Sequence, residues 1–137
     1  MEKIIKIGLT SFIVFMIISF KNNTHFTILG NWNIETDSTF QGVGLNNHAV
    51  NYVGIPGDYF DFRNDGNVYI KESKTFDTLS YKLISDTSII IKSFGVIQNG
   101  IPEISHITNL SAYHASIFAP IELTSGGKFG RTVRLYK

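Results

Sequence analysis

Tyr59-Phe60-Asp61-Phe62-Arg63-Asn64-Asp65-Gly66-Asn67-Val68-Tyr69-Ile70 decides the fold class. Apolar and polar residues alternate on both sides of Asp65-Gly66, and glycine tolerates the positive φ of a tight hairpin turn. The stretch therefore reads as two antiparallel strands. Downstream, Phe76 to Leu83 alternates, with Leu79, Tyr81 and Leu83 on one face. Ser85-Asp86-Thr87 turns the chain into the β-branched run Ser88 to Phe94. After a loop from Gly95 to Pro102, strands are predicted at about Ile104–Leu110, Tyr113–Ala119 and Gly130–Tyr136, the last entered through Ser125-Gly126-Gly127-Lys128. Upstream, a first strand is predicted from about Trp32 to Thr36. The count is about eight strands at roughly 8–12-residue spacing, without helical periodicity, which argues for an all-β antiparallel up-and-down barrel. A closed barrel also leaves no unpaired edge.

The expected inward set is Phe60, Phe62, Val68, Ile70, Leu79, Tyr81, Leu83, Ile89, Ile91, Ile117, Val133 and Leu135. Residues 21–137 hold eight Phe, six Tyr and one Trp, enough bulk to fill a narrow interior. Eight-stranded barrels are either filled by side chains or hold one small ligand. A void of about 300 Å³ or more would favour a ligand, and a solid interior a protein partner.

The 137 residues make one domain behind an N-terminal address. Lys3 and Lys6 precede an apolar run from Ile7 to Phe20, the pattern of a secretory signal. The run is short for a membrane span, which needs about 20 apolar residues. Residues 1–20 are read as signal peptide and 21–137 as the domain. Membrane contact is expected only through 1–20 if they stay uncleaved. The chain has no cysteine, so a lipoprotein anchor, a disulfide framework and thiol chemistry are all excluded. The expected location is exported: periplasmic, cell-surface or secreted. A net charge of +1 leaves no electrostatic footprint for nucleic acid.

Leu29-Gly30-Asn31-Trp32 opens the first strand. Further on come Asp58-Tyr59-Phe60-Asp61-Phe62, Asp65-Gly66, Tyr81-Lys82-Leu83, and a terminal Gly126-Gly127 with Thr132-Val133-Arg134-Leu135-Tyr136. Gly30-x-Trp32 resembles the lipocalin signature at the closed end of the barrel. The whole of Ile28–Lys137 resembles the short exported lipocalin-like domains of Bacteroidetes type. The resemblance implies a barrel with Gly30 and Trp32 at its closed end and an arginine of the last strand across the tryptophan. Arg131 and Arg134 are the candidates. Arg131 shares strand parity with Val133 and Leu135 and is expected to point inward. The chain departs from many lipocalins in lacking a disulfide and in ending right after the last strand, so the resemblance implies a barrel more firmly than a cargo.

Asp37 to Gly57 is the least ordinary stretch. A loop of about 20 residues in a compact domain is usually functional or hides an element of its own. Its apolar residues Phe40, Val43, Leu45, Val50, Tyr52, Val53 and Ile55 could lie as a lid over the open end or cap a solid core. The candidate ligand-binding set is Phe40, Val43, Leu45, Tyr52 and Val53 from this segment, with Phe60 and Tyr81 from the barrel. The expected partner is a small hydrophobic molecule, with Tyr52 or His48 fixing its orientation. The alternative is a cell-envelope structural or protein-interaction module with a filled barrel.

Other constellations read as structure. His106 and His114 face each other only if the turn centres on Leu110; the register can equally pair His106 with Phe118. Two histidines also fall short of the four ligands zinc takes. Asp65 belongs to its turn, and Asp58 and Asp61 differ in strand parity, so an acid–base pair or calcium site is not expected. Gly126-Gly127-Lys128 lacks the strand–loop–helix context of a phosphate loop. No nucleophile, base and orienter come together. The chain is read as a non-catalytic protein without metal or cofactor.

Overall fold

The computed structural model describes residues 25–43, 46–94, 97–98, 101–102, 104–124 and 127–137. Residues 1–20, read above as a signal segment, and Leu45 lie outside the described residues.

Eleven strands follow in chain order: β1 Gly30–Val43, β2 Asn46–Val53, β3 Tyr59–Phe62, β4 Asn67–Glu72, β5 Thr75–Ser85, β6 Ser88–Ile91, β7 Ile97–Gln98, β8 Ile101–Pro102, β9 Ser105–Thr108, β10 His114–Thr124 and β11 Gly127–Tyr136. Eight of them close a barrel in the order β1, β3, β4, β5, β6, β9, β10, β11 and back to β1, every pairing antiparallel. Each barrel strand lies beside the next barrel strand in the chain, so the topology is up-and-down. The described residues contain no helix.

The hairpin that decides the fold forms as its sequence predicts. Phe60 faces Ile70 and Phe62 faces Val68 across β3 and β4. Gly66 takes φ +80°, and Asp65 Oδ1 accepts the amide of Asn67 at 2.9 Å.

The largest correction concerns Asp37 to Gly57. It is not a loop. β1 runs on to Val43, and β2 returns along it in register from Thr36↔Val53 to Val43↔Asn46. β11 flanks the other edge of β1 over the same stretch, from Asp37↔Val133 to Gly42↔Lys128. The segment is thus a hairpin arm that prolongs the barrel wall. The first strand is correspondingly longer than Trp32–Thr36. The Gly95–Pro102 loop also hides a small ladder, β7 with β8. His106 lies opposite Phe118, and His114 opposite Tyr136, so the two histidines do not face each other.

The interior is packed. Trp32, Phe60, Val68, Ile89, Phe94, Ile117, Ala119 and Val133 are wholly buried, with Phe62, Ile91 and Leu135 nearly so. Phe60 and Phe62 sit 6.2 Å apart, and Tyr81 meets Phe62 edge-on at 5.3 Å. Leu79 and Tyr81 are partly buried against this core. Leu83 lies on the inward side too, opposite buried Ile89, but it stands at the end of the barrel beside the register shift and stays 37% exposed.

Trp32 closes the end where the chain enters. Burying about 150–250 Å² of indole is worth roughly 4–6 kcal/mol at most, and its Nε1 donates to the Ile28 carbonyl at 2.6 Å. The cation over its ring is Lys137, with Nζ 4.2 Å from the centroid, and neither Arg131 nor Arg134. The register explains this. Asn33 pairs with Tyr136, so Lys137 falls level with Trp32, whereas Arg131 pairs with Thr39 at the other end of the barrel. Arg134 is exposed on the outside.

Candidate binding recess at the barrel mouth

Three inward rows change from apolar to polar as they approach the end opposite Trp32. On β4 the row is Val68, Ile70, Glu72; on β5, read in the same direction, it is Leu79, Asp77, Thr75; on β11 it is Leu135, Val133, Arg131. β1 does the same by a different device. Trp32 and Ile34 point inward, but the register against β11 slips between Ile34 and Thr36. Such a bulge reverses the alternation beyond it, and Asp37 is turned inside, only 5% exposed.

Asp37 and Arg131 meet there. Arg131 Nε donates to both Asp37 carboxylate oxygens, at 3.0 and 3.1 Å, and its Nη2 donates to Oδ2 as well. The guanidinium lies over the ring of buried Phe94, 4.5 Å from the centroid. Arg131 thus points inward as its parity predicts and lids the aromatic core. Glu72 comes third: its Oε1 is 3.6 Å from Arg131 Nη2, buried, and without a hydrogen-bond partner. Burial, with the adjacent Asp37 carboxylate, pushes the Glu72 pKa up to about 7 despite the nearby guanidinium. A single guanidinium, already gripped by Asp37, does not neutralise two carboxylates.

Beside this cluster a recess of about 120 Å³ opens. Ile70 and Leu79 form its apolar side; Glu72, Thr75, Asp77, Ser93 and Arg131 form its polar side. A second hollow of about 100 Å³ lies at the closed end, between Phe26, Ile28, Leu83 and Ile107.

Asp58 ties the arm to the mouth. It is 1% exposed and receives three hydrogen bonds: from the Tyr52 hydroxyl, from the Ile55 amide at 2.9 Å and from the Ser73 amide at 2.8 Å. Burial works to raise its pKa, but these donors and the charge of Lys71 outweigh it and hold Asp58 below the usual carboxylate range. The same bond pushes the Tyr52 hydroxyl up to about 12.

The sequence-derived candidates are dispersed. Tyr52 serves the Asp58 knot. Val53 is 67% exposed, and Phe40 is half-buried on the arm opposite Ala49 and Gly130. Val43 lies on the arm, and its side chain, like that of His48, is outside the described residues. Phe60 is in the core. Tyr81 donates from its hydroxyl to the Arg63 carbonyl at 2.7 Å, in the β3–β4 turn. Gly30 takes φ +105° at the start of β1. Sequence reasoning did not find Glu72, Thr75, Asp77 and Ser93. The apolar-to-polar change along Val68-x-Ile70-x-Glu72 and Thr75-x-Asp77-x-Leu79 was the available signal.

No family model, no curated protein and no solved structure matches the chain. What can be said of its function therefore rests on the barrel itself.

Proposed function

We propose that the chain is an exported, lipocalin-like barrel that binds a small ligand at its open mouth without acting on it chemically. The observation that carries this reading is the contrast between the packed interior and the recess above it. Phe60, Phe62 and Phe94 fill the space where a lipid-sized cargo would lie. At about 120 Å³ the recess is below the roughly 300 Å³ expected of a small-molecule cargo site, so the solid interior leaves no room for a lipid-sized cargo and by itself favours the protein-partner alternative. A ligand of the recess is therefore a group of a few heavy atoms with an apolar part, seated on Ile70 and Leu79 beside the polar rim. The arm built of β1 and β2 flanks the mouth as wall, and Phe40, Val43 and Val53 belong to that wall. Residues 1–20 supply the export address.

Native mass spectrometry of protein purified without detergent from an exporting host tests this. A small adduct that is lost in Leu79→Trp, which fills the recess, fits the reading. A long-chain lipid adduct contradicts it.

A second reading is an interaction module of the cell envelope. The sequence of β2, Asn46–Val53, contains no charged residue and no proline, the usual guards of a free edge. Val50 and Val53 are each 67% exposed and Ile55 is 53% exposed. Strand addition along β2 would join a partner to the sheet.

A further inference from the structure

The recess has a charge balance that selects its occupant. Its walls bring Glu72 and Asp77 together with the Thr75 and Ser93 side chains, and Arg131 is the one cationic side chain among the described lining residues. That guanidinium is not free. It holds Asp37 through both Nε and Nη2 and is stacked on Phe94, and it stays 3.6 Å from Glu72 without a hydrogen bond. An anion entering the recess would have to displace Asp37 and would meet two further carboxylates. A neutral ligand would leave the ionised Glu72, next to the Asp37 carboxylate, with only the shared Arg131 guanidinium at 3.6 Å to balance its charge. A cation supplies what is missing.

Size and shape narrow the class further. About 120 Å³ is the room of roughly four water molecules at ~30 Å³ each. The apolar side, Ile70 and Leu79, asks for a few methylenes rather than a bare metal ion, and an ammonium is a compact charge with several donors.

We propose that the recess is a site for a primary alkylammonium group: the ammonium between Glu72 and Asp77, the short alkyl body on Ile70 and Leu79. This rests on the mouth being the ligand site and names the chemistry it takes. Either a free small amine or a lysine side chain of another protein carries that group.

Protonation of Glu72 competes with the ligand. The charged groups that bear on Glu72 are Asp37 from β1, Arg131 from β11, Asp58 from the turn before β3, and Asp77 from β5, with Lys71 adjacent on its own strand. Burial first, then the Asp37 and Asp58 carboxylates against the charge of Arg131, makes Glu72 keep its proton to higher pH than an ordinary glutamate. Alkylammonium binding therefore strengthens as pH rises through neutrality.

The test is a two-dimensional amide NMR titration of the full chain with n-butylammonium, butyrate and 1-butanol, at mildly alkaline and mildly acidic pH. The expected result is saturable movement of the Thr75, Asp77, Leu79 and Ser93 amides with n-butylammonium alone, weaker at acidic pH. Glu72→Gln, which keeps shape and removes charge, should weaken it about tenfold, the effect of one charge-assisted contact; Asp77→Asn is the second variant if the first fails to fold. Nα-acetyl-lysine amide in place of n-butylammonium separates the two sources: tighter binding assigns the site to a protein lysine, weaker binding to a free amine, and both fit the proposal. Equal movement with butyrate or butanol, or full binding in Glu72→Gln, overturns the alkylammonium assignment and leaves the mouth as a ligand site. Silence of these amides to every probe overturns both.

Discussion

Gly54→Ala is the sharpest test of how the arm is joined to the barrel. A Cβ on Gly54 would lie 1.9 Å from the Ile34 carbonyl oxygen, 2.7 Å from its carbonyl carbon and 3.0 Å from its Cβ. Carbon and oxygen ordinarily approach to about 3.3 Å, so β1 and the chain after β2 must separate by about 1.4 Å. Neither side can yield by rotating a side chain, because the obstacle is backbone. The bond from Gly54 N to the Glu35 carbonyl, 3.1 Å long, is at the same place and is strained with it. Overpacking costs about 1–3 kcal/mol and a lost hydrogen bond about 1 kcal/mol, so the expected loss is about 2–4 kcal/mol. Against a domain stability of about 5–15 kcal/mol, that is a large fraction. Urea unfolding followed by the fluorescence of Trp32, the single tryptophan and a wholly buried one, measures it directly. Gly57→Ala is the control. There the nearest atom is the tip of Lys71 at 3.4 Å, and only the strain of φ +93° remains, about 1–2 kcal/mol. A Gly54→Ala variant within about 0.5 kcal/mol of the parent, the range of an ordinary surface change, would refute the close passage of Gly54 over β1 and with it the bulge that turns Asp37 inward.

Four further outcomes are expected from the packing and the charges. Phe60→Ala should cost about 3–5 kcal/mol in the same urea experiment, the range for a buried aromatic, since Phe60 is wholly enclosed. Lys137→Ala should cost about 0.5–1 kcal/mol and shift the Trp32 emission, as for an exposed cation–π pair, whereas Arg134→Ala should do neither. Two carboxyls pull stability in opposite directions with pH. Asp58, held below its ordinary pKa, contributes stability present above the unfolded value and lost as pH falls through the lower folded one, so Asp58→Asn should flatten the acid limb. Glu72, raised from 4.5 to about 7, contributes stability that is full below 4.5 and lost as pH climbs to about 7. Glu72→Gln should therefore gain on the parent over that window, by on the order of 2 kcal/mol.

The strand rhythm was legible wherever strict alternation met plain turn chemistry. Asp65-Gly66 located a hairpin, and Phe60, Phe62, Val68, Ile70, Ile89, Ile91, Ile117, Val133 and Leu135 point inward as alternation requires. The arm was not legible for two physical reasons. The bulge after Ile34 breaks the period-two pattern inside β1, so Trp32–Thr36 looks like a complete strand. Among the described residues β2 then lies against one neighbour, β1, and Val50 and Val53 are both exposed although they differ in parity. The cation over Trp32 was misplaced because parity tells which way Arg131 points but not how far along the barrel it stands; the register with β1 decides that. The mouth cluster was half visible. Arg131 and Glu72 follow from the parity of their strands, but Asp37 joins them only through the bulge, which alternation alone places on the outside.

The proposed amine site turns on Glu72 being a carboxyl without an adequate counter-charge. Carbon-13 NMR of its side-chain carboxyl across pH, with and without saturating n-butylammonium, tests this most directly. A pKa near 7 is expected for the free protein, with a fall when the amine is present, because a ligand that prefers the ionised form must stabilise it. An ordinary pKa of about 4.3, or a raised one that saturating amine leaves unmoved, would contradict it.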